Sequence, residues 1–292
     1  MSVEPRSNVA NGMHFHAPET LEEAAYLLDK YAGRVRLGAG CTYLMLMAAR
    51  GEPLPAHLVS LHRVANLADH EEGRIGSRVT LRQLEGGLMH GPERALTMAA
   101  SVIARPSVRN LATLGGNLGF ADGDLIPAVL ALDAVVHLYG GSYLPAAEYV
   151  KNRPSGCVAT CISHERRADD GWTGATVKLT RAGVGWPVIT VSVVLRIGDH
   201  GEILESRTAA QALAATPSIL PGVDAVLVGS HGEPEALEYA SDAALQRLEI
   251  RTDYEASAAY RRKVAPAVVR RALDVALSAG ATGDVALRVA SL

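Results

Sequence analysis

Two glycine-rich turns divide the first half of the chain. The first turn, Gly38-Ala39-Gly40-Cys41-Thr42, lies between a short strand ending at Leu37 and a helix from Tyr43 to Arg50. Backbone N–H groups converge on a phosphate at such a turn, because no Cβ intervenes and a helix N-terminus attracts anions. It is not a Rossmann fingerprint, since Tyr43 stands where the third glycine would be. We expect a phosphate cradle with Thr42 as an added donor, or else a turn that needs glycine only for packing.

The second turn is Thr113-Leu114-Gly115-Gly116-Asn117. Its N–H groups, hydroxyl and amide fall within five residues, which suits a diphosphate and the ribityl hydroxyls of a flavin. Asp122 and Asp124 follow, and their carboxylates can accept hydrogen bonds from such hydroxyls. The alternative is a solvated loop or a helix N-cap, because Asp124 precedes a predicted helix from Ile126 to Leu132.

Composition excludes several classes of protein. The chain has 292 residues, enough for two lobes with separate cores. Its formal net charge of -3 gives no basic excess for nucleic acid. Met1 to Asn11 contain no apolar stretch typical of a secretory signal. The most apolar run, Leu125 to Tyr139, is interrupted by Asp133 and is too short for a transmembrane segment. We expect a cytoplasmic protein.

The cysteines limit the redox chemistry that the chain can carry alone. Cys41, Cys157 and Cys161 are too few for an ordinary iron–sulfur cluster, which takes about four thiolates. Cys157, Cys161 and His164 could belong to a metal site, but no fourth ligand is evident and the spacing is unusual for zinc. We therefore expect no metal, and small buried thiols on a strand.

The hydrophobic pattern changes along the chain. Strand, turn and helix signals alternate up to about residue 173, and β-rich runs at Thr176–Thr180 and Val188–Ile197 follow. The stretch from about Glu233 to Ala279 has helical spacing. We expect an N-terminal domain at 1–173, with subdomains at about 1–57 and 58–173, and a C-terminal domain at 174–292.

Three segments together resemble the flavin subunits of the xanthine dehydrogenase and carbon monoxide dehydrogenase family. Arg105 to Asn117, with Pro127 to Ala134 behind it, looks like the family's second FAD-binding segment. Gly38 to Leu44 matches its first pyrophosphate loop in position, and Asp253 to Leu273 resembles its C-terminal helical signature.

The resemblance implies an α+β fold. It comprises an FAD-binding lobe of two α/β subdomains, of the PCMH type, then a smaller lobe with a three-stranded antiparallel sheet and a helical bundle. FAD would lie in the cleft, with its pyrophosphate against residues 38 to 42 and the loop from Thr113 to Asn117 beside it. By position, Lys178 matches a lysine near the flavin ring, and Val158 matches a residue whose backbone approaches the ring. A surface lysine on a strand is the alternative for Lys178.

The chain departs from the family pattern at the diphosphate site. The loop between Asn117 and Asp124 is shorter than usual. Ala39 stands where the family has a second adjacent glycine, and Tyr43 is unusual at its position. These changes bear on the path of FAD and on its affinity.

The function that the resemblance implies is electron transfer. A large subunit with a molybdenum cofactor would oxidise substrate, iron–sulfur clusters on a small subunit would carry the electrons, and FAD on this chain would pass them to an external acceptor. No residue of this chain is predicted to be catalytic. Two alternatives are a stand-alone flavoprotein oxidoreductase with its own small substrate, and a non-catalytic assembly subunit that has lost FAD.

Overall fold

The computed structural model describes residues 7–10, 12–87 and 90–281, and it describes no side chains before residue 12 or after residue 279. Most of the segment from Met1 to Asn11, for which no secretory signal was predicted, therefore lies outside the described residues. So does the end of the expected C-terminal domain.

The chain alternates between short strands and helices in its first two thirds and becomes mainly helical after residue 220. The strands are β1 (Ser7–Ala10), β2 (Met13–His16), β3 (Val35–Gly38), β4 (His57–Ser60), β5 (His70–Glu71), β6 (Arg74–Gly76), β7 (Val135–Leu138), β8 (Tyr143–Pro145), β9 (Ala159–Ser163), β10 (Trp172–Thr180), β11 (Pro187–Ile197), β12 (Ile203–Gln211) and β13 (Ser218–Ile219). The helices are α1 (Leu21–Lys30), α2 (Thr42–Ala49), α3 (Leu81–Glu85), α4 (Arg94–Ser101), α5 (Pro106–Arg109), α6 (Leu114–Leu118), α7 (Ile126–Ala131), α8 (Ala146–Asn152), α9 (Pro221–Leu227), α10 (Pro234–Ala243) and α11 (Ala258–Ala281).

The first sheet has the strand order β1-β2-β4-β3 in the described part of the chain. β3 and β4 run parallel, with Leu37 opposite Val59, so the chain leaves β3 at the sheet edge and enters α2 through the first glycine turn. The hairpin of β1 and β2 was not predicted, because its polar residues hide the strand pattern. His16 on β2 and His57 on the neighbouring β4 are nevertheless buried, and their ring nitrogens are 3.0 Å apart.

The N-cap residue of α1 is Thr20. The hydroxyl of Thr20 accepts a hydrogen bond from the N–H of Glu23, as an N-cap residue does. The Glu23 carboxylate, however, accepts from the N–H of Glu19 rather than from that of Thr20. α1 packs Ala24, Leu27 and Leu28 into the core beneath the first sheet.

The second sheet has the order β5-β6-β9-β7-β8 among the described residues. Its core includes Ile75, Val136 and Ile162, and it is continuous with the buried faces of α4 and α7. α7 is buried along its whole length, which agrees with the continuous apolar run of its sequence.

The third sheet, β10-β11-β12-β13, is antiparallel within the described chain. It contains the three long strands that were predicted, plus the two-residue β13. Val194 and Ala209 on one face join the core of α4 and α7. Val191 and Val193 on the other face join the core of α9, α10 and α11. The sheet therefore separates the N-terminal lobe from the helical bundle and contacts both.

The strand pairing bears on the expected domain limits. β4 pairs with β2 and β3, so a subdomain limit near residue 57 would cut a strand from its own sheet. β10 starts at Trp172, so a limit at residue 173 falls inside that strand. We propose that the first subdomain continues beyond β4 and that the C-terminal domain begins with β10.

No helix in the described ranges is both long and apolar enough to cross a bilayer.

Candidate functional site

The first glycine turn presents a row of unused backbone donors. The N–H groups from Ala39 to Leu44 have no acceptor among the described residues. Cys41 adopts a left-handed conformation with φ of 55°, which turns the backbone into the first turn of α2. Successive N–H groups in such a bend form an anion-binding concavity at a helix N-terminus. The hydroxyl of Thr42 has no partner in the described part of the chain and can donate to the same ligand.

Gly40 brings the two glycine segments together. A Cβ at this position would overlap the carbonyl oxygen of Leu111, and it would lie 3.1 Å from the N of Ala112. Only glycine allows this approach of two backbones. The first turn thus lies directly beside the chain that enters the second turn. Leu37 and Gly38 lead into it as the end of β3, half-buried and buried respectively.

The second turn was expected to offer free N–H groups to a ligand, but three of its N–H groups are bonded within the protein. Those of Leu114 and Gly115 donate to the carbonyls of Val79 and Ser77, at 2.9 and 2.7 Å. The N–H of Gly116 donates to the hydroxyl of Thr113 at 3.2 Å, because the segment is a short helix with Thr113 as its N-cap. What the turn can offer a ligand is the hydrogen of the Thr113 hydroxyl and the side-chain amide of Asn117.

Residues 119–125, which we call the hub loop, connect this helix to α7. Side-chain contacts with other parts of the protein hold four of the seven residues of the hub loop. They are Arg153 Nη2 to the Ala121 carbonyl at 3.0 Å, Gln211 Nε2 to the Asp122 carbonyl at 2.7 Å, Arg251 Nη1 to Asp122 Oδ1 at 3.1 Å, Lys178 Nζ to Asp124 Oδ2 at 2.8 Å, and the Leu125 N–H to Asn117 Oδ1 at 2.8 Å. The hub loop is therefore held in place by its contacts with the rest of the protein.

Gly123 allows the hub loop to pass close to the second turn. A Cβ on Gly123 would overlap the carbonyl oxygen of Asn117. The side chain of Asn117 also spans the gap, since its Oδ1 accepts from Leu125. The second turn and the hub loop are thus one packed unit.

Lys178 and Asp124 form a buried ion pair. Their side chains are 3% and 9% exposed, so Lys178 is not a surface lysine. Burial raises the pKa of the Asp124 carboxyl, although the positive charge and hydrogen bond of Lys178 act in the opposite direction. Asp124 does not cap α7, whose N-cap residue is Leu125. The pair joins the hub loop to β10 and leaves Asp124 Oδ1 without a protein partner within the described residues.

Lys178 is the first of three polar residues in a row across the third sheet. The strand register places Lys178 opposite Thr190 and Thr190 opposite Gln211. Thr190 and Gln211 are each 1% exposed. Thr190 Oγ1 and Gln211 Oε1 make no hydrogen bond of ordinary geometry among the described residues, although the Thr190 hydroxyl lies near enough to Asp124 to lower the pKa of its carboxyl. Buried polar atoms without partners are costly, which is typical of a site that completes its hydrogen bonds with a ligand or water.

Three aromatic rings meet at Phe120 of the hub loop. The centroids of Tyr43 and Phe120 are 3.9 Å apart, and Phe120 meets Trp186 edge-on at 5.6 Å. The guanidinium of Arg50 lies over the Trp186 ring at 5.9 Å. Tyr43 belongs to α2 and Trp186 to the turn between β10 and β11. The three rings therefore connect the first subdomain to the C-terminal domain across the hub loop.

Val158 belongs to the core beneath the first sheet. It is 1% exposed, and its side chain packs with Val59 and Leu61. Its carbonyl accepts from the N–H of Tyr139 at 2.8 Å, while its own N–H has no acceptor in the described chain. The N–H of Val158 is therefore a backbone donor that the protein does not use.

The sequence did not single out Phe120, Trp186, Gln211 or Arg251. Trp186 carries a signal, because it is one of two tryptophans and follows a glycine-rich turn. Arg251 lies two residues before the C-terminal segment that begins at Asp253. Gln211 has no signal in the sequence, since its role depends on the register of β12.

The three cysteines are free thiols, with Cys161 buried and Cys41 and Cys157 partly buried. Burial raises the pKa of the Cys41 and Cys157 thiols. Within the described ranges, no group of three or more His, Cys, Asp or Glu side chains could hold a metal ion.

Two family models match the chain. The FAD binding domain in molybdopterin dehydrogenase matches residues 10–160. The CO dehydrogenase flavoprotein C-terminal domain matches residues 176–276. The first match contains both glycine turns, the hub loop and Val158, and the second contains Lys178, Trp186, Gln211 and Arg251.

Known proteins are similar over nearly the whole chain. The carbon monoxide dehydrogenase medium chain of Hydrogenophaga pseudoflava is 29% identical over 278 residues, which cover 90% of this chain and 96% of that one. The xanthine dehydrogenase FAD-binding subunit of Escherichia coli O157:H7 is 25% identical over 286 residues, covering 91% and 96%. A solved structure of carbon monoxide dehydrogenase from Hydrogenophaga pseudoflava, which lacks the Mo-pyranopterin moiety, matches with a TM-score of 0.84 and 27% identity, covering 93% of this chain and 99% of that chain. The predicted α+β fold is confirmed.

Proposed function

Because the chain belongs to the family of FAD binding domains in molybdopterin dehydrogenases, we propose that it transfers electrons as the flavin subunit of a molybdenum-dependent hydroxylase or dehydrogenase. The resemblance stated from its motifs is confirmed. Its cofactor is FAD, and it is an oxidoreductase subunit. The transfer of electrons from a partner to an external acceptor is the part that we propose.

The residues present suit FAD. A diphosphate is an acceptor of hydrogen bonds, and the unused N–H groups from Ala39 to Leu44 are donors at a helix N-terminus. Ribityl hydroxyls both donate and accept, which suits unpartnered Asp124 Oδ1 and Gln211 Oε1. The aromatic and apolar surroundings suit an isoalloxazine ring.

The proposed FAD-binding residues come from both lobes. They are Leu37, Gly38, Ala39, Gly40, Cys41, Thr42, Thr113, Gly115, Gly116, Asn117, Asp122, Asp124, Val158 and Lys178. Ala39 contributes its N–H like its neighbours, so a side chain at this place is compatible with the cradle. For Gly115 and Gly116, close packing is the proposed role, since their N–H groups are bonded within the protein.

FAD supplies the redox chemistry when bound, and the protein supplies binding, orientation and electrostatics. The N–H groups of the first turn hold negative charge without a basic side chain. Lys178 places a positive charge in a dry setting, where its field is weakly screened. Because Asp124 lies 2.8 Å from Lys178 Nζ and offsets its charge, the pair would act on a bound flavin ring mainly as an oriented dipole.

We propose two partner subunits, a large one with a molybdenum cofactor and a small one with iron–sulfur clusters. The relatives named above are a medium chain and an FAD-binding subunit, names that imply multi-subunit enzymes. Three cysteines are too few for a cluster on this chain alone. Electrons would therefore enter from the small subunit and leave to an external acceptor.

The observation that carries the proposal is the run of free N–H groups at Ala39 to Leu44, brought by Gly40 against the second segment. The test is an absorption spectrum of the purified chain, with the released cofactor identified and counted. About one FAD per chain supports a single cleft. A colourless chain that takes up no added FAD contradicts the proposal and favours the assembly subunit.

A further inference from the structure

Arg251 joins the C-terminal domain to the hub loop. It lies between α10 and α11, and its Nη1 is 3.1 Å from Asp122 Oδ1. Its Nε lies 2.9 Å from Asp253 Oδ2, although that N–H does not point at the oxygen. The well-formed hydrogen bond of this guanidinium to a carboxylate is thus the one to Asp122.

The backbone of Arg251 is held independently of its side chain. Its N–H donates to the Leu213 carbonyl at 2.8 Å, and its carbonyl accepts from Arg261 Nη1 at 3.0 Å. Arg261 is fully buried and bonds both carboxylate oxygens of Asp253, at 2.8 and 2.9 Å. Removing the guanidinium of Arg251 therefore leaves the segment fixed by Arg261 and changes mainly the contact with the hub loop.

Asp122 is held from two sides. Its carboxylate meets Arg251 from the segment before α11, and its carbonyl accepts from Gln211 on β12. Asp124, two residues later, pairs with Lys178 on β10. Three separate parts of the C-terminal domain thus set the shape of a loop that belongs to the N-terminal lobe.

We propose that Arg251 is a positioning residue for FAD, which holds the hub loop through Asp122 in the conformation that binds the cofactor. This inference rests on the proposed function of the cleft. A loop that is fixed before binding loses less conformational freedom when the ligand arrives, so affinity rises without a contact to the ligand. The main role of the Asp122 carboxylate is then to anchor the loop to Arg251.

The test is a double-mutant cycle on the full-length chain after removal of FAD. The variants are Arg251→Gln, Asp122→Asn and both together, and FAD affinity is measured by quenching of flavin fluorescence. Arg270→Gln is the matched control, because Arg270 pairs with Asp274 on α11 at 3.1 Å and contacts no residue of the hub loop in the described chain. The thermal midpoint of each protein without FAD is recorded alongside.

We expect Arg251→Gln to weaken FAD binding about tenfold, with the double variant no weaker than Arg251→Gln alone. Arg251→Lys should recover part of the affinity, and the control should match wild type. Asp122→Asn keeps the Asp253–Arg261 network, so it reports on the loop even if Arg251→Gln folds poorly. The proposal would be overturned if both single variants bound FAD as tightly as wild type. It would also be overturned if the two losses of FAD affinity added in the double variant, or if each loss only followed a loss of folded protein. Failure of wild type to bind FAD would instead refute the proposed function itself.

Discussion

Lys178 Nζ lies 2.8 Å from Asp124 Oδ2, and both side chains are almost completely buried. The two residues come from different lobes, since Asp124 belongs to the hub loop and Lys178 to β10. A buried pair of this kind adds little net stability compared with apolar residues, but losing one partner is costly because the other charge stays buried. The pair therefore fixes the position of the hub loop against β10.

Lys178→Met should destabilise the chain without FAD by about 3 kcal/mol at pH 7, because Asp124 is left buried without its cation. Urea unfolding measures this free energy. The loss of unfolding free energy should be smaller at lower pH. The Asp124 carboxyl has a raised pKa, so lowering the pH protonates it and removes the unpaired buried charge.

The double variant Lys178→Met with Asp124→Leu is the control for that loss. It removes both charges, so it should recover most of the stability. A double variant as unstable as the sum of the two single variants would show that the pair is not coupled.

Gly40→Ala should weaken FAD binding by about tenfold or more, because its Cβ would overlap the Leu111 carbonyl and push the glycine segments apart. Fluorescence titration with FAD measures the effect. Gly86→Ala is the matched control, since the nearest atoms to its Cβ are 3.7 Å away. Wild-type affinity in Gly40→Ala would show that this approach of the two backbones is not needed for binding.

Glu93 should support stability over a defined pH range. Burial by itself would raise its pKa, but hydrogen bonds from His164, His70 and the Gly73 N–H outweigh it and lower the pKa from 4.5 to about 2. A depressed carboxyl pKa stabilises the fold above the unfolded-state pKa, and this stability is lost as pH falls from 4.5 towards 2. Glu93→Gln should therefore cost about 3 kcal/mol at pH 7.

The measurement for Glu93 is urea unfolding of wild type and Glu93→Gln between pH 7 and pH 3. The difference in free energy of unfolding between the two proteins should be constant above pH 5 and should become smaller below it. Glu205→Gln, which removes an exposed pair with Arg196, should show almost no gap. A gap for Glu93→Gln that does not change with pH would contradict the assignment.

The contribution of Asp224 to stability should change with pH in the opposite direction to that of Glu93. Burial raises its pKa to about 6, although the Ser206 hydroxyl, 2.8 Å from Oδ1, opposes the shift. A raised carboxyl pKa means that stability is lost as pH rises through about 6. Asp224→Asn keeps the acceptor and removes the charge, so it should raise the thermal midpoint at pH 8 and change it little at pH 4. An equal midpoint shift at both pH values would contradict this.

Local signals in the sequence predicted much of the fold. The apolar runs of β11 and α7 are visible in the sequence, because both elements are buried on all sides and need nearly continuous apolar residues. The hairpin of β1 and β2 was missed, because polar residues obscure its strand pattern. His14 is exposed and stacks on His57, while His16 is buried and stacks on Tyr31 and His57.

The candidate site was predictable only in part. Gly40 and Thr113 stand in motifs that can be recognised within a few residues. The links that join them depend on distant parts of the chain, such as Asp122 with Arg251, and on strand register, such as Lys178 with Gln211. The N–H of Gly115 donates to the carbonyl of Ser77, and no local sequence pattern indicates this hydrogen bond.

We propose that this chain carries FAD within a molybdenum-dependent complex. The most direct measurement is to purify the tagged full-length chain from its native host and to determine FAD, iron and molybdenum in the same sample. We predict about one FAD per chain, together with iron and molybdenum on two co-purifying subunits, and bleaching of both flavin and iron–sulfur bands on reduction. FAD without either metal would contradict the account and indicate a stand-alone flavoprotein, and metals without FAD would contradict it and indicate an assembly subunit.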